Sequence, residues 1–339
     1  MPSRREVVAG SLALLAAPAA ANSLWEEGAP LPFAVQEIYP TSWRGRLVVG
    51  GGFRARGPGF VANLGALWPT VAVVWAEPAG ESWSALPDMP GQRHHPFLSP
   101  LGDALLAIGG FSSGVGGIWR MERQVWRLSA PQGRWREGPP LPRPQAEVAG
   151  GVLDGALLIA GGRTPAGEAN GGYGDHRDTG DAHLLAPGAR GWHAIAPLPT
   201  PRNSAAAAVL GGRLHVVGGR ILTPQGLRNL DVHEAYDPVT RRWQTLAPMP
   251  QPRGGHAAAS LGGRLYAFGG ESFGDRPTAH DEVFEYDPGA DRWRRLATMP
   301  GPRHGLGAVA AGGAIHLLGG AAEAGGRATS DSHFIFRPP

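Results

Sequence analysis

Arginine and histidine recur at fixed places in this chain, each time shortly after a Leu-Pro or Met-Pro pair. Three residues past the proline stand Arg93, Gln145, Arg202, Arg253 and Arg303, and beside them or slightly further on lie His94, His95, Asn203, His304 and His256. Planar guanidinium groups suit carboxylates and phosphates. If these side chains converge, they predict a site for an anionic ligand. The alternative is that they tie strands and loops together, with loop carboxylates such as Glu271 neutralising them.

A second group of residues could hold a divalent metal. Residues 163–180 contain Asp175, His176 and Asp178, and Asp181 and His183 follow directly. Carboxylate and imidazole ligands suit several divalent ions, but this spacing matches no diagnostic metal motif. The alternative is a solvated surface loop. We therefore predict no metal or other cofactor and keep Asp175 and His176 as weak metal candidates.

The composition excludes several mechanisms. The 339-residue chain contains no Cys, and all 31 of its Lys and Arg residues are Arg. It can therefore form no disulfide, thiolate nucleophile, Cys-ligated zinc site, lysine Schiff base or Walker-type phosphate loop. The net charge is only +3 and the arginines are spread along the chain, so we expect no nucleic-acid partner.

Several markers repeat in step along the sequence. The first is a tryptophan, at Trp25, Trp83, Trp135, Trp192, Trp243 and Trp293. The second is a pair of glycines, beginning at Gly51, Gly109, Gly161, Gly218, Gly269 and Gly319. Both recur at the same intervals of 50 to 58 residues. This period predicts a repeated unit of about 50 residues, in the range of propeller blades.

Each unit has the pattern of four short strands. In residues 251–300, apolar runs are separated by turns at Gly262-Gly263 and at 289–292, and none is long enough for a helix. The last unit lacks a closing Trp strand, which residues 25–32 could supply. We predict an all-β, six-bladed propeller. In such a ring the segments between blades share one face with the loops after each second strand, which places the recurrent arginines beside the long loops.

Residues 1–21 are typical of an export signal, with a charged start, a short apolar middle and a small-residue cleavage site at 19–21. Arg4 and Arg5 resemble a twin-arginine signal, and the alternative is an ordinary Sec signal or an N-terminal tether. We predict a periplasmic or secreted protein whose propeller occupies residues 22–339. We expect a monomer with no membrane span after the signal is cleaved.

The Pro-Arg-x-x-His, Gly-Gly, Tyr-Asp-Pro and Trp…Met-Pro patterns resemble the kelch repeat, and they cover nearly all of residues 22–339. The resemblance implies the propeller fold, which hosts unrelated activities. Galactose oxidase, a kelch relative, needs a Tyr–Cys crosslink that this chain cannot form. Glu271, Asp275 and His280 resemble the iron-binding loop of the nitrile-specifier kelch proteins, but one additional residue precedes the histidine.

Two functions fit this resemblance. The first, which we favour, is an exported binding module whose arginine-lined face captures an acidic sugar, an acidic peptide or a protein segment. The second is similar to the bacterial periplasmic sialic-acid mutarotase of the kelch family. Ring opening requires one proton to be delivered and one removed, for which His94, His304 and Glu271 are suitable, and Arg303 could anchor the carboxylate. A metal-dependent enzyme would rest on the loop residues alone.

Overall fold

A computed structural model describes residues 24–55, 67–114 and 117–339. The predicted export signal, residues 1–21, lies outside the described residues. Within the described ranges nearly all regular structure is strand, and the helical part is a short 3₁₀ turn at Tyr173–Asp175. The described residues contain no helix with the length and apolar character needed to span a membrane.

The described residues form six four-stranded antiparallel sheets, which we number as blades in chain order. Blade 1 comprises Thr41–Trp43, Arg46–Gly50, Val73–Ala76 and Ser84–Leu86. Blade 2 comprises Phe97–Leu101, Ala104–Ile108, Val125–Leu128 and Arg136–Glu137. Blade 3 comprises Ala149–Leu153, Ala156–Ala160, Ala182–Leu185 and His193–Ala194. Blade 4 comprises Ala206–Leu210, Arg213–Val217, His233–Asp237 and Arg242–Leu246. Blade 5 comprises Ala257–Leu261, Arg264–Phe268, Glu282–Asp287 and Arg292–Thr298. Blade 6 comprises Gly307–Ala311, Ala314–Leu318, His333–Phe336 and Trp25–Glu27.

The blades close into a ring around a central axis. The first strand of each blade contacts the first strands of both neighbouring blades, and the first strand of blade 6 contacts that of blade 1. The N-terminal strand Trp25–Glu27 pairs antiparallel with His333–Phe336, with Trp25 opposite Phe336. Strands from both ends of the chain therefore build one sheet, as predicted, and this leaves the ring without a free terminal blade. The prediction of an all-β propeller is confirmed.

The loops after each second strand are more regular than the sequence predicted. They contain strands of their own: Phe53–Ala55 and Leu67–Pro69; Phe111–Gly114 and Gly117–Met121; Arg163–Pro165 and His176–Asp178; Arg220–Thr223 and Gly226–Asn229; Glu271–Ser272 and Thr278–Ala279; and Ala321–Glu323 and Arg327–Thr329. Val35–Gln36, from the segment before blade 1, pairs with Phe53–Ala55. The segments between blades form isolated bridges to these hairpins, for example Asn203 with Arg220 and His304 with Ala321. The hairpins therefore stand around one end of the axis, which we call the mouth.

The recurrent tryptophans join successive blades. Five of them donate the indole N–H to a backbone carbonyl of the preceding blade or its closing segment, at 2.8 to 3.0 Å: Trp83 to Ala29, Trp135 to Pro87, Trp192 to Pro139, Trp243 to Ala196 and Trp293 to Ala247. Their rings pack into apolar clusters that join neighbouring sheets, such as the one containing Phe284, Tyr286 and Trp293. The marker that revealed the repeat is thus an inter-blade contact, in which an aromatic ring is buried with its polar atom satisfied.

Candidate functional site

The recurrent Arg and Gln side chains that follow the prolines hold the strands of their own blades. Four of them donate to the carbonyl oxygen of a glycine 16 residues further on, at 2.7 to 3.4 Å: Gln145 to Gly161, Arg202 to Gly218, Arg253 to Gly269 and Arg303 to Gly319. Arg93 donates to the Gln92 carbonyl and stacks on Trp126, with the guanidinium carbon 4.2 Å from the ring centre. These contacts match the alternative in which the side chains tie strands and loops together.

Arg202 and Arg253 are also paired with carboxylates. Arg202 Nη1 lies 2.5 Å from Glu234, and Arg253 Nη2 lies 3.2 Å from Glu282. Burial lowers the pKa of both guanidinium groups, and the paired carboxylates oppose that shift. His256 is buried close to these arginines, and burial together with the two positive charges lowers its pKa to about 3. His256 is therefore a neutral side chain.

A different set of ionisable side chains meets at the mouth, where the inter-blade segments bridge to the hairpins. We call it the mouth cluster, and it consists of Glu37, His95, Glu147, Arg163, Arg220, Glu271 and His304. The repeat creates the cluster. Glu37, His95 and Glu147 occupy equivalent positions just before the first strands, whereas Arg163, Arg220 and Glu271 each follow a double glycine.

The arginines lie on one side of the mouth cluster. Arg220 is 2.5 Å from Glu271 through Nη1 and 3.6 Å from Glu147 through Nη2. Burial opposes the charge on Arg220, but Glu271 and Glu147 outweigh it and raise its pKa. Arg163 is fully buried and only 4.0 Å from Glu147, and its Nη2 donates to the Tyr173 carbonyl. Its Nε and Nη1 have no hydrogen-bond partner among the described residues.

The histidines lie on the other side, around Glu37. His95 Nε2 is 2.9 Å from one Glu37 oxygen, and His304 Nδ1 is 3.6 Å from the other and 3.5 Å from Glu271. Burial alone would raise the pKa of Glu37, but His95 and His304 hold it well below its usual range. Burial alone would lower the pKa of His304, but Glu271 and Glu37 raise it above its ordinary value.

His94 and His95 bond to each other at the edge of the mouth cluster. His94 Nε2 lies 2.7 Å from the Ile118 carbonyl, which can only accept, so this nitrogen carries the hydrogen. Burial lowers the pKa of His94 well below its ordinary value, which favours the neutral ring. His94 Nδ1 lies 2.6 Å from His95 Nδ1, and His95 Nε2 lies 2.9 Å from Glu37. His95 thus connects the His94 ring to the carboxylate of Glu37.

His304 has a similar arrangement. Its Nε2 lies 2.9 Å from the Glu323 carbonyl and so carries a hydrogen, and its Nδ1 lies between two carboxylates. The mouth cluster thus sets four basic side chains, two arginines and two histidines, against three carboxylates. Two of the four, Arg163 and His304, have donor atoms without a hydrogen-bond partner among the described residues.

An aromatic wall completes the mouth on the side of blades 1 and 2. The His94 ring stacks between Phe53 and Phe111, with ring centres 4.0 and 4.9 Å apart. Trp119 stands edge-on to this stack and 5.0 Å from Tyr173, whose ring lies 4.0 Å from the guanidinium carbon of Arg163. Phe53, His94 and Phe111 are fully buried, whereas Trp119 and Tyr173 are half-buried. The mouth therefore has a packed aromatic half and a charged half.

The candidate metal ligands do not form a cluster. Asp175 Oδ2 accepts from the backbone N–H groups of Gly171 and Gly172, and His176 Nε2 is 3.2 Å from Asn170 Oδ1. Asp275 is exposed, whereas His280 is buried and bonds to Ser272 Oγ at 2.9 Å. Within the described ranges no three His, Asp or Glu side chains are arranged to hold a metal ion.

The structure brings together Glu271 and His304 of the candidate catalytic residues, and it places His94 beside them through His95. The sequence reasoning missed Arg163, Arg220, Glu37 and Glu147. A signal was present: the residues that follow the six double glycines are Phe53, Phe111, Arg163, Arg220, Glu271 and Ala321. Three consecutive repeats carry a charge where the others carry an apolar side chain, and these three charged residues belong to the mouth cluster.

Comparison with known proteins agrees with this architecture. The KLHDC2/KLHL20/DRC7 Kelch-repeats domain model matches residues 169–336. Human Kelch-like protein 34 is 32% identical over 178 residues, covering 52% of this chain and 25% of that protein. The Kelch-like protein terF of Aspergillus terreus is 26% identical over 253 residues, covering 73% of this chain and 52% of that protein. The chain thus spans between a quarter and about half of these two relatives.

A solved structure, titled "Structure of YjhT", superposes with a TM-score of 0.72 at 16% identity and covers 91% of this chain and 96% of that one. The ring of four-stranded sheets defines a β-propeller. With the repeat markers and these matches, the chain belongs to the kelch-repeat propeller family.

Proposed function

We propose that the mouth cluster binds a small anionic ligand of the size of an acidic sugar. The observation that carries the proposal is the buried Arg163, whose Nε and Nη1 lack hydrogen-bond partners among the described residues. A buried guanidinium group with free donors is costly unless something fills the place. A carboxylate that met these donors would form charge-assisted hydrogen bonds. This moves the proposed anion site from Arg93, Arg202, Arg253 and Arg303 to Arg163 and Arg220.

The test is proton NMR of the protein with D-glucuronate and N-acetylneuraminate. We expect line broadening of both sugars with the wild type and its loss with Arg163→Met, which keeps the volume of the side chain but removes its donors. The matched control is Arg46→Met, because Arg46 pairs with Glu77 at 2.6 Å on the exposed surface. Equal broadening with Arg163→Met and Arg46→Met would contradict the proposal.

A sugar isomerase is the second candidate, and His304 favours it. Its Nδ1 lies 3.5 Å from Glu271, and the neighbouring carboxylates raise the pKa of His304. A proton donor and a carboxylate base therefore lie side by side, as ring opening and closing require. Exchange between the two anomers, measured in the same NMR samples, separates the candidates. An isomerase would make the anomers exchange faster than in the buffer blank. His304→Gln would abolish this fast exchange but keep the line broadening. Broadening without faster exchange identifies a binding module. Broadening by an acidic peptide instead of the sugars would assign the site to a protein partner.

Export is a separate part of the proposal. It rests on the composition of residues 1–21 alone, and changing Arg4 and Arg5 to Lys tests the route. On the twin-arginine route, the double substitution is expected to leave the protein in the cytoplasmic fraction of a Gram-negative host. Unchanged export would assign the segment to the Sec route.

A further inference from the structure

The mouth of the axial channel is framed by a ring of six equivalent residues, one from each inter-blade segment. All have φ between 49° and 63°, and they are Glu37, His95, Glu147, Ser204, Gly255 and Gly305. Backbone hydrogen bonds link five of these residues in succession, from Ser204 through Gly255, Gly305 and Glu37 to His95; among them are Glu37 N–H to the Gly305 carbonyl at 2.7 Å and Gly305 N–H to the Gly255 carbonyl at 2.8 Å. These bonds hold the backbone, and the side chains differ from one position to the next.

Five of the six ring positions are filled. Four carry a side chain, and the space beside Gly305 is taken by Glu37, since a Cβ built there would lie 2.9 Å from the Glu37 carboxyl carbon. Gly255 differs, because the nearest atom to a Cβ built there is Glu271 Oε1 at 3.7 Å, followed by Gly305 N and His304 Cβ. Room for a further group therefore remains at Gly255, next to Glu271 and His304.

An axial cavity of about 300 Å³ lies directly below this ring. Glu37, Ser204, Gly255 and Gly305 form its upper edge, and the first strands form its walls. The wall residues are mostly apolar, among them Tyr39, Phe97, Leu98, Val152 and Leu306. A cavity of this volume accommodates a small polar molecule such as a monosaccharide. Glu37 of the mouth cluster lines this cavity, and Gly255 lies at the same edge, next to Glu271 and His304.

We infer that the axial cavity is the binding pocket for the ligand and that Gly255 is the opening through which the ligand's polar groups reach Glu271 and His304. This rests on the proposed function of the mouth cluster. The hairpins bury Glu271 and His304 on the loop side, to 3% and 2% exposure, whereas the cavity reaches the ring from below. The absence of a side chain at Gly255 determines which ligand groups can reach Glu271 and His304. A larger residue at this position would separate the pocket from these two side chains.

The test places a side chain at Gly255. Ser204 shows that a non-glycine residue is compatible with the left-handed backbone of this ring, and Asn tolerates that region well. We expect Gly255→Asn to weaken D-glucuronate binding at least tenfold, by NMR or calorimetric titration. The matched control is Gly263→Asn, at a strand turn with φ of 75° and no atom of the described residues within 4 Å of a Cβ. Its thermal unfolding midpoint should equal that of Gly255→Asn, and its affinity should equal that of the wild type.

The outcomes separate the inference from the proposal beneath it. Wild-type affinity in Gly255→Asn, together with loss of binding in Arg163→Met, would overturn the axial route and leave the anion site in place. Absence of sugar binding by the wild type would overturn both. If Gly255→Asn does not fold, Gly255→Ser copies the residue found at Ser204. A Gly255→Ser protein that unfolds at the wild-type temperature and binds D-glucuronate as tightly as the wild type would equally overturn the route.

Discussion

Replacing Arg202 by Met should destabilise the propeller without touching the ligand site. Arg202 Nε donates to the Gly218 carbonyl at 2.8 Å, Nη1 to the Thr200 carbonyl at 2.9 Å and Nη2 to the Val216 carbonyl at 3.0 Å. Its pair with Glu234 is buried, at 1% and 2% exposure. Arg202 therefore joins the inter-blade segment to the second strand of blade 4 and to the carboxylate of the third.

The magnitude follows from what the substitution leaves behind. Glu234 would stay buried with the Thr200 hydroxyl, at 2.8 Å, as its remaining side-chain donor. Removing one partner of a buried ion pair costs about 3–5 kcal/mol. For a domain of this size, each kcal/mol lowers the thermal midpoint by about 2 °C, so we expect a fall of about 6–10 °C.

The assay is thermal and guanidinium unfolding followed by circular dichroism. The control is Arg213→Met on the next strand of the same blade, because Arg213 pairs with Asp237 at 3.0 Å but is 40% exposed. An exposed pair of this kind contributes about 0–1 kcal/mol. The double variant Arg202→Met, Glu234→Leu should regain most of the loss, since no unpaired charge stays buried.

Two results would refute this reasoning. An Arg202→Met protein as stable as Arg213→Met would show that the buried contacts contribute little. A folded Arg202→Met protein that no longer binds D-glucuronate, while Arg163→Met still does, would return the site to the arginines after the prolines.

Three further predictions concern pH and backbone space. Anion affinity should fall as the pH rises through the pKa of His304, because the side chain then loses its proton; the neighbouring carboxylates raise that pKa above its ordinary value of about 6.5 against the effect of burial, and calorimetric titration across pH 5.5–8.5 checks this. The buried His215–His233 pair, 2.9 Å apart, should make the fold acid-sensitive. Burial lowers the pKa of His215 to about 4, so the unfolded chain binds more protons than the folded protein below pH 6.5. The free energy of unfolding should therefore fall by about 3 kcal/mol as the pH falls from 6.5 towards 4. Urea unfolding measures this loss, which should be smaller in His215→Gln. Gly269→Ala should unfold at a much lower temperature than Gly263→Ala, because only the former brings a Cβ within 2.3 Å of a backbone carbonyl oxygen.

The sequence predicted the fold because its markers report contacts that every blade repeats. Trp293 and Gly269 each have counterparts at the same place in the other units. The tryptophan recurs because each unit must bond to its neighbour, and the glycine recurs because each chain must turn in the same way after its second strand. The prediction that Trp25 closes the last sheet followed from counting strands. The hairpins at the mouth were not predicted, because two- and three-residue strands such as Glu271–Ser272 have too few residues to show an alternating pattern.

The site was predicted only in part, for the opposite reason. Arg202 and Arg253 recur in the repeat because every blade needs the contact, so their recurrence indicates a structural role. Residues that serve a ligand on the axis need occur only once. Arg163 and Arg220 occupy a position that is aromatic in blades 1 and 2, and no spacing rule singles them out without knowing that this position faces the mouth.

A ring of similar blades becomes a binding site where its symmetry is broken at the axis. At the ring of the mouth the six equivalent backbones are alike in φ, yet their side chains run from Glu37 and Glu147 through Ser204 to Gly255. A symmetric ring of carboxylates would repel itself, and a symmetric ring of glycines would recognise nothing. Charged residues lie on one side of the axis and aromatic residues on the other, and Gly255 leaves one position without a side chain. In the function we propose, this asymmetry would hold a small anion in one orientation, with its carboxylate toward Arg163 and its remaining polar groups toward His304.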